Sequence, residues 1–369
     1  MRNQEKIFVI GHKNPDTDSI CSAIAYCDIK NRTSQKQRFV PKRAGQINEE
    51  TEYVLSRFGV QPPGYLSNIG TQVKDMDIRM SPDADKSMSL KAAWDIMQEN
   101  SIVSLPIRDK EGALEGLITI GDIAKTYMDT TDSYLLSRAR TQYQKIAETI
   151  HGEIIEGNPH GYFIKGRVMV GTANPDKMKE YIEEDDMIIM GDREEDHLQA
   201  IAQNVSCIIV GLGIQVTENV VKLAHEKDII IIASPYDTFT IARLINQSIP
   251  VRYIMKTDNL VTFNTEDFTD DIQDVMIKHR HRAFPVINKK GKCIGTISRR
   301  NFLGMHKKQV VLVDHNEVDQ AVDNIEKADI LEIIDHHKLG TLQTVQPISF
   351  RNQPVGCTDH VSDLWRTEA

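Results

Sequence analysis

The chain has 369 residues, of which 40% are hydrophobic and 26% are charged, and its formal net charge is -9 at pH 7. This length predicts roughly two to four domains, and the negative charge argues against a general nucleic-acid binder. No apolar segment approaches transmembrane length, and the N-terminus lacks the basic start and apolar core of a signal peptide. The five cysteines are scattered, odd in number and without a C-x-x-C pair. They predict free thiols in a reducing cytoplasm rather than disulfides or a zinc site.

The first apolar segment ends in a loop rich in metal-binding side chains. Ile7–Ile10 predicts a buried strand, and the residues from Ser19 onward have helical spacing, with Asp18 or Ser19 as the N-cap. Between them lie His12, Asp16 and Asp18. Mixed imidazole and carboxylate ligands suit manganese, cobalt or magnesium. The alternative is that the two aspartates serve only the turn and the helix cap.

The next segments continue an α/β pattern. Phe39–Pro41 predicts a second strand, and Asn48 is suited to cap a helix that runs through Arg57. The sequence Gln61-Pro62-Pro63-Gly64 then breaks the pattern, and we expect a domain boundary soon after it.

Residues 73–127 and 251–306 form an internal repeat. Each copy predicts a helix, a strand, a Gly turn, a second strand and a second helix. Matching residues are separated by 179 positions (276 − 97) in every pair. The pairs are Met97 and Met276, Pro106 and Pro285, Gly112 and Gly291, Gly116 and Gly295, Thr119 and Ser298, and Asp122 and Asn301.

The repeat resembles a pair of CBS modules, which carry the pattern G-hydrophobic-hydrophobic-T/S-x-x-D. The resemblance implies that Thr119 and Asp122 contact the ribose and phosphate of an adenine nucleotide, whereas Asn301 weakens that contact in the second copy. The basic segment Lys278–Arg282 suits nucleotide phosphates, and the alternative is a solvated basic face. The candidate nucleotide contacts are Thr119, Ile120, Gly121, Asp122, Thr262, Arg280, His281, Arg282, Ser298 and Asn301.

Between the two copies, apolar strands alternate with polar helices, which favours a parallel sheet. Ser133–Ile150 predicts a helix. The predicted strands are Arg167–Val170, Met187–Met190, Cys207–Val210 and Ile229–Ala233. Ligands of open α/β sheets bind at the carboxyl edge, although short Gly loops there also serve as simple turns. On Gly191-Asp192-Arg193 the unit resembles the DRTGG domain, but the Thr-Gly-Gly part of that motif is absent.

Two later predicted strands are followed, like the first one, by carboxylate and imidazole side chains. Val310–Val313 ends in Asp314-His315-Asn316-Glu317, and Leu331–Ile334 ends in Asp335-His336-His337-Lys338. If the three strands share a sheet, their polar ends meet at one edge; the alternative is three unrelated polar strand ends. The side chains brought together in this way are His12, Asp16, Asp18, Asp314, His336 and His337.

The motifs G-H-x-N-P-D-x-D-S, V-D-H-N-E and D-H-H, in this order, resemble those of the DHH phosphoesterases and, within them, the family II inorganic pyrophosphatases. The resemblance implies that His12, Asp16 and Asp314 hold one metal ion. It implies that Asp18, Asp314 and His336 hold a second, with Asp314 bridging the two ions.

The same resemblance implies the chemistry. A hydroxide between two Mn²⁺ or Co²⁺ ions attacks pyrophosphate, Mg²⁺ also serves, and His337 faces the substrate as a hydrogen-bond donor or acid. Asp335 orients a neighbouring histidine, and His315 is structural or orients a metal ligand. AMP, ADP, ATP or diadenosine polyphosphates are the expected regulators, and a homodimer through the CBS modules is the expected assembly.

The fold class follows from these resemblances: an α/β, DHH-type parallel-sheet domain interrupted by two CBS modules that flank an α/β DRTGG-like domain. The predicted boundaries are 1–70 and 307–358 for the DHH domain, 71–127 and 250–306 for the CBS modules, 128–249 for the DRTGG-like domain and 359–369 for a divergent tail.

The C-terminal residues depart from the family pattern. The resembling family continues past the segment found here at Pro354–Thr358 with a further metal-bridging Asp and a substrate-clamping domain, whereas this chain ends at Ala369. We therefore expect little pyrophosphatase activity from this chain alone. Two alternatives remain at this point: a weak or inactive fragment that binds nucleotides, and another DHH phosphoesterase acting on oligonucleotides or cyclic dinucleotides.

Overall fold

The structure is a computed structural model that describes residues 5–34, 36–128, 132–173, 175–279, 281–338, 340, 342 and 344. The chain divides into two compact units. Unit one comprises Met1–Asp77, Glu266–His279 and Arg300–Ala369, and unit two comprises Ile78–Thr265 and Arg280–Arg299. Arg280 and the segment 345–369, which includes Pro354–Thr358 and the predicted tail, lie outside the described residues.

The strands of the described residues are, in chain order, β1 (Glu5–Ile10), β2 (Gln37–Arg43), β3 (Gly64–Tyr65), β4 (Arg79–Met80), β5 (Ser104–Arg108), β6 (Leu114–Thr119), β7 (Thr141–Gln142), β8 (Glu153–Glu156), β9 (Tyr162–Phe163), β10 (Val168–Val170), β11 (Met187–Met190), β12 (Cys207–Val210), β13 (Ile230–Ala233), β14 (Phe263–Asn264), β15 (Phe284–Ile287), β16 (Cys293–Ile297), β17 (Gln309–Val313) and β18 (Asp329–Ile334).

The α-helices are α1 (Thr17–Thr33), α2 (Glu49–Arg57), α3 (Leu90–Glu99), α4 (Ile120–Met128), α5 (Leu135–Arg138), α6 (Tyr143–Thr149), α7 (Pro175–Tyr181), α8 (Glu194–Ala202), α9 (Glu218–Glu226), α10 (Thr238–Leu244) and α11 (Thr269–Lys278). Short 3-10 helices cover Val73–Asp75, Ile245–Ser248, Val251–Tyr253, Arg299–Phe302 and Ile325–Lys327. Among the described residues, no helix combines the length and apolar composition needed to cross a bilayer.

Unit one is built on a parallel sheet with the order β18-β17-β1-β2-β3. Both faces of this sheet are covered, which explains the continuous apolar sequences of its strands. On β1, Ile7 and Val9 pack with Ala23 and Tyr26 of α1, whereas Ile10 packs in a second core on the other face. The sequence prediction that β1, β17 and β18 end at one edge is confirmed.

Unit two contains a second sheet, with the order β10-β11-β12-β13-β8, in which the first four strands are parallel and β8 is antiparallel. The predicted parallel sheet is confirmed. The order of the parallel strands follows the order of the chain, without the reversal that opens a ligand crevice in doubly wound sheets. Among the described residues, the four parallel strands therefore do not form a crevice of that kind at their carboxyl edge.

The two repeat copies form antiparallel strand pairs, β5 with β6 and β15 with β16, at equivalent registers: Pro106 lies opposite Leu117, and Pro285 lies opposite Thr296. The core around the first pair is continuous with the core under the parallel sheet of unit two, since Leu105 and Ile118 belong to the same buried cluster as Ile209 and Ile232.

Three local predictions were wrong. The cap of α1 is Asp16, which accepts a hydrogen bond from the Ser19 amide, rather than Asp18 or Ser19. The helix predicted over Ser133–Ile150 is broken into α5 and α6, because Arg140 has φ 51° and the following β7 pairs with β9. The second copy ends in a single 3-10 turn rather than a helix, and Gly304 follows it within the next few residues.

Candidate metal centre

The carboxyl ends of three adjacent parallel strands carry the candidate ligands. His12 follows β1, Asp314 follows β17 and His336 follows β18. Because β17 lies between β1 and β18, Asp314 is central and the two histidines flank it. The sheet thus brings together residues that are far apart in the chain.

The first group of donors consists of His12, Asp16 and Asp314, whose ligand atoms all lie within 4.8 Å of one another. His12 Nε2 is 3.3 Å from Asp314 Oδ2 and 3.9 Å from Asp16 Oδ1. This matches the set that the sequence resemblance assigned to one ion.

The second group consists of Asp314, His336 and His337, again within 4.8 Å. His336 Nε2 is 3.8 Å from Asp314 Oδ1, so the two oxygens of Asp314 are directed at different histidines. Asp18, which the resemblance assigned to this ion, belongs to neither group among the described residues, and its Oδ1 accepts a hydrogen bond from the Ser22 hydroxyl.

The backbone at Asp314 is in the left-handed region, with φ 61°. Its amide donates to the Ile334 carbonyl over 2.8 Å, and its side chain is only 3% exposed. Non-glycine residues in this region cost about 1–3 kcal/mol and cluster at functional sites, where surrounding contacts impose the conformation. Here the hydrogen bond to the last residue of β18 is one such contact.

Negative charge dominates the electrostatics at His12. The hydrogen bond with Asp314, together with the charges of Asp314, Asp16 and Asp18, raises the pKa of His12 despite its partial burial. At His315 burial is the largest effect, and it lowers the pKa of that histidine to about 4. A site that stabilises a positive imidazole is suited to divalent cations.

The residues present fit a pair of divalent ions. Imidazole and carboxylate donors suit manganese and cobalt. The Asp314 carboxylate directs one oxygen at His12 of the first group and the other at His336 of the second group. Two buried polar atoms next to the ligands, Ser19 Oγ and His315 Nε2, have no hydrogen-bond partner among the described residues. His315 Nδ1 donates to the Val313 carbonyl, which leaves the Nε2 lone pair toward the interior.

Two glycines allow the loop between β1 and α1, which carries His12, to pack closely. A Cβ on Gly11 would lie 1.7 Å from Ser19 Oγ, and a Cβ on Gly45 would lie 1.8 Å from the Lys13 carbonyl oxygen. Any side chain at either position would push the loop that carries His12 away from its neighbours.

Thr119 and Asp122, the candidate nucleotide contacts of the first copy, form a local hydrogen-bonded pair in unit two. Asp122 Oδ2 accepts from the Thr119 amide at 2.9 Å and from its hydroxyl at 2.6 Å. Asp122 Oδ1 lies 3.3 Å from Lys256 Nζ. The pair caps the start of α4, and Lys256 supplies a cation beside it.

The other candidate nucleotide contacts are distributed over both units. Thr262 and Ser298 are half-buried, and His281 and Arg282 are exposed in unit two, with the His281 ring edge-on to Phe284. Asn301 belongs to unit one, where its amide donates to the Asp77 carbonyl. Ile120 is half-buried and Gly121 exposed at the start of α4.

Sequence reasoning missed three residues that lie against the candidate site segments: Lys256 beside Asp122, Gly45 beside Lys13 and Asn316 beside Asp335. Lys256 is far from Asp122 in the chain, and no local pattern marks it. Gly45 is recognisable only once its contact with Lys13, in the loop between β1 and α1, is known. Asn316 stood in the quoted V-D-H-N-E motif without a role.

Comparison with protein-family models identifies a CBS domain at residues 74–129 and 251–307 and a DRTGG domain at residues 145–248. The two CBS matches flank the DRTGG match in the middle of the chain, as the predicted fold class requires. The exact domain boundaries remain predictions.

Among curated proteins, the chain is 39% identical over 358 residues to a cobalt-dependent inorganic pyrophosphatase of Clostridium perfringens, covering 97% of this chain and 65% of the relative. It is 32% identical over 368 residues to a probable manganese-dependent inorganic pyrophosphatase of Thermotoga maritima, covering 98% of this chain and 66% of that relative. The chain thus spans about two thirds of the length of both relatives.

Among solved structures, the chain resembles the CBS and DRTGG domains of the regulatory region of Clostridium perfringens pyrophosphatase, complexed with its activator diadenosine tetraphosphate. The TM-score is 0.59 at 35% identity, and the match covers 62% of this chain and 100% of that chain. The resemblance inferred from the motifs is confirmed. This chain covers that solved region completely at 35% identity. The chain therefore belongs to the family of CBS- and DRTGG-containing sequences that includes the Clostridium perfringens pyrophosphatase.

Proposed function

We propose that the protein hydrolyses inorganic pyrophosphate to two phosphates at a centre for two Mn²⁺ or Co²⁺ ions. The observation that carries this proposal is the position of Asp314, whose two oxygens face the donors of two separate groups. The names of the two long curated relatives support the reaction and the metals.

His12 and Asp16 would hold one ion and His336 the other, with Asp314 shared. Asp18, which is near enough to raise the pKa of His12, is the remaining candidate for the second ion. When bound, such a pair of ions lowers the pKa of a water molecule and neutralises phosphoryl oxygens. Mg²⁺ belongs to the proposal as a further divalent ion that oxygen ligands accept.

His337 is the proposed substrate contact. Its side chain is 57% exposed, and its Nδ1 lies 2.7 Å from Oδ1 of the buried Asp335. A carboxylate accepts from this nitrogen, which orients the ring and leaves Nε2 for other partners. In this role His337 donates to a phosphate oxygen or to the leaving phosphate.

Adenine nucleotides are the proposed regulators, bound at the CBS modules. The diadenosine tetraphosphate in the solved relative supports this class, which here includes AMP, ADP, ATP and diadenosine polyphosphates. Asp122 and Lys256 together offer an acceptor for ribose hydroxyls and a cation for phosphate.

A homodimer through the CBS modules and a cytoplasmic location also belong to the proposal. An apolar cavity of about 310 Å³ between α3 and α4, lined by Trp94, Ile123 and Tyr127 among others, offers a surface for such contact. Light scattering on the purified chain measures the assembly, and a monomer at all concentrations would exclude the dimer.

The test combines metal binding with turnover. Purified protein is titrated with Mn²⁺ and Co²⁺ by calorimetry and then assayed for phosphate release from pyrophosphate, beside the Asp314→Asn variant. Metal-dependent release that the variant lacks supports the proposal. Binding of nucleotides without any phosphate release favours the alternative of a nucleotide-binding module. Release only from cyclic dinucleotides or oligonucleotides favours another DHH phosphoesterase.

A further inference from the structure

Asn316 lies between the two strand ends that carry the second group of donors. It follows β17 by three positions and is only 2% exposed. A buried amide side chain has two donor hydrogens and one acceptor oxygen to satisfy, so its hydrogen-bond partners report what holds it in place.

Within the part of the chain that the structure describes, the three hydrogen bonds of the Asn316 side chain all go to the loop after β18. Its Nδ2 donates to Asp335 Oδ2 and, over 3.0 Å, to the Lys338 carbonyl. Its Oδ1 accepts from the Gly340 amide. One side chain thus fixes three points of the loop that carries His336 and His337.

The contact with Asp335 matters most because that carboxylate is fully buried, with 0% exposure. Asp335 Oδ1 accepts from the His337 amide at 3.1 Å and pairs with His337 Nδ1 at 2.7 Å. Its other oxygen is the one that receives the Asn316 amide. Without that donor, a buried carboxylate oxygen would lose its partner and the group would rotate toward another one.

The loop geometry is adapted to this contact. A Cβ on Gly340 would lie 2.5 Å from Asn316 Oδ1 and 2.7 Å from the Asn316 carbonyl oxygen, so the loop approaches Asn316 closely. Asn316 is two residues from Asp314, whose amide is tied to the Ile334 carbonyl at the end of β18. The two strand ends are therefore joined by backbone at Asp314 and by side chain at Asn316.

We propose that Asn316 is a positioning residue for His337. It fixes the rotamer of Asp335, and Asp335 in turn fixes the ring orientation of His337 with Nδ1 as the donor. In this role Asn316 itself touches neither the substrate nor the metal ions. The inference rests on the proposed function only where His337 is called a substrate contact; the fixed ring orientation is independent of it.

The test uses Asn316→Asp, measured above the pH at which two adjacent carboxyl groups share a proton. The substitution keeps the size and the acceptor for Gly340, and with both carboxylates ionised it removes both donated hydrogen bonds. The matched control is Asn31→Asp. The Asn31 side chain donates to the carbonyl and accepts from the amide of Phe39 on β2, both at 2.8 Å, so this substitution removes a similar hydrogen bond elsewhere in unit one. The double variant Asn316→Asp with Asp335→Asn exchanges the positions of the amide and the carboxylate in this hydrogen bond. The new amide at position 335 then donates to the carboxylate at position 316, and its oxygen still accepts from His337.

The first readout needs no activity. Nitrogen-15 spectra of the metal-free full chain, with His337 assigned by His337→Gln, report which ring nitrogen carries the proton. We expect a single Nδ1–H form in the wild type and in Asn31→Asp, a mixture of tautomers in Asn316→Asp, and recovery in the double variant. An unchanged Nδ1–H signal in Asn316→Asp would overturn the proposal.

The second readout separates positioning from metal binding. We expect kcat for pyrophosphate to fall about 10–100-fold in Asn316→Asp, while Mn²⁺ affinity by calorimetry stays within about threefold. Equal losses in kcat and Mn²⁺ affinity would show instead that Asn316 acts through the metal ligands. A wild type without turnover would contradict the proposed function alone, and the nitrogen-15 spectra would still decide on Asn316.

Discussion

The Nε2 atom of His12 lies 3.3 Å from Oδ2 of Asp314, although the two residues come from opposite ends of the described chain. The contact exists because β1 and β17 pair in parallel, with Ile10 opposite Leu312, so both strands end at the same edge. The CBS and DRTGG matches therefore lie, along the chain, between two neighbouring strands of one sheet.

Replacing Asp314 with Asn should weaken both metal sites at once, because one side chain serves both donor groups. Asn has the same size and tolerates the left-handed backbone that this position requires. We expect Mn²⁺ affinity by calorimetry to fall by more than about 100-fold, beyond the loss typical of residues that only support a ligand. Asp319→Asn, at an exposed position of the same segment, is the control and should bind like the wild type. Wild-type affinity in Asp314→Asn would refute the shared ligand.

Gly11→Ala should destabilise unit one and disturb the loop between β1 and α1. The new Cβ would lie 1.7 Å from the Oγ of Ser19, a fully buried residue in the first turn of α1. We expect a loss of about 1–3 kcal/mol in the free energy of unfolding by urea, together with weaker Mn²⁺ binding. Gly304→Ala provides the comparison, since a Cβ there meets no atom within 4 Å. Equal effects of the two substitutions would argue against close packing at Gly11.

Asp122→Ala should impair nucleotide binding more than Asn301→Ala, the equivalent change in the second CBS copy. A carboxylate accepts two ribose hydroxyls, whereas the Asn301 amide has one acceptor oxygen and donates to the Asp77 carbonyl. Titration with AMP and diadenosine tetraphosphate should show a loss of about tenfold or more for Asp122→Ala and a smaller loss for Asn301→Ala. The opposite ranking would mean that the second copy supplies the main ribose contact.

His225 should titrate above its ordinary range because it pairs with Glu156. The hydrogen bond and charge of Glu156 come first among the causes that raise the pKa of His225 above 6.5, with smaller contributions from Asp228 and Glu226. Since the folded-state pKa is raised, the pair stabilises unit two fully below pH 6.5, and this contribution is lost as the pH rises through the raised pKa.

An NMR titration of His225 measures this effect directly. Glu156→Gln should return the pKa toward 6.5, and Glu153→Gln, an exposed position on the same strand β8, should leave it raised. A His225 pKa that is the same with and without Glu156 would show that the pair does not persist in solution.

The positions of most strands could be predicted from the sequence because parallel strands buried on both faces are continuous apolar segments. Met187–Met190 and Cys207–Val210 form β11 and β12 with the predicted bounds. The break at Arg140 could not be predicted, since it depends on Thr141 pairing with Phe163 rather than on local propensity. The cap at Asp16 rather than Asp18 likewise depends on how the loop leaves β1.

The sequence by itself determined which side chains stand at the strand ends, because a polar motif directly after an apolar segment is a local feature. It also identified the family, since the motifs and the repeat are written in residue order. Only the tertiary structure decided that β17 lies between β1 and β18, that Asp314 therefore faces two histidines, and that Asn316 holds the loop of Asp335 and His337. Strand order and cross-loop hydrogen bonds are set by contacts between distant residues, and no local pattern encodes them.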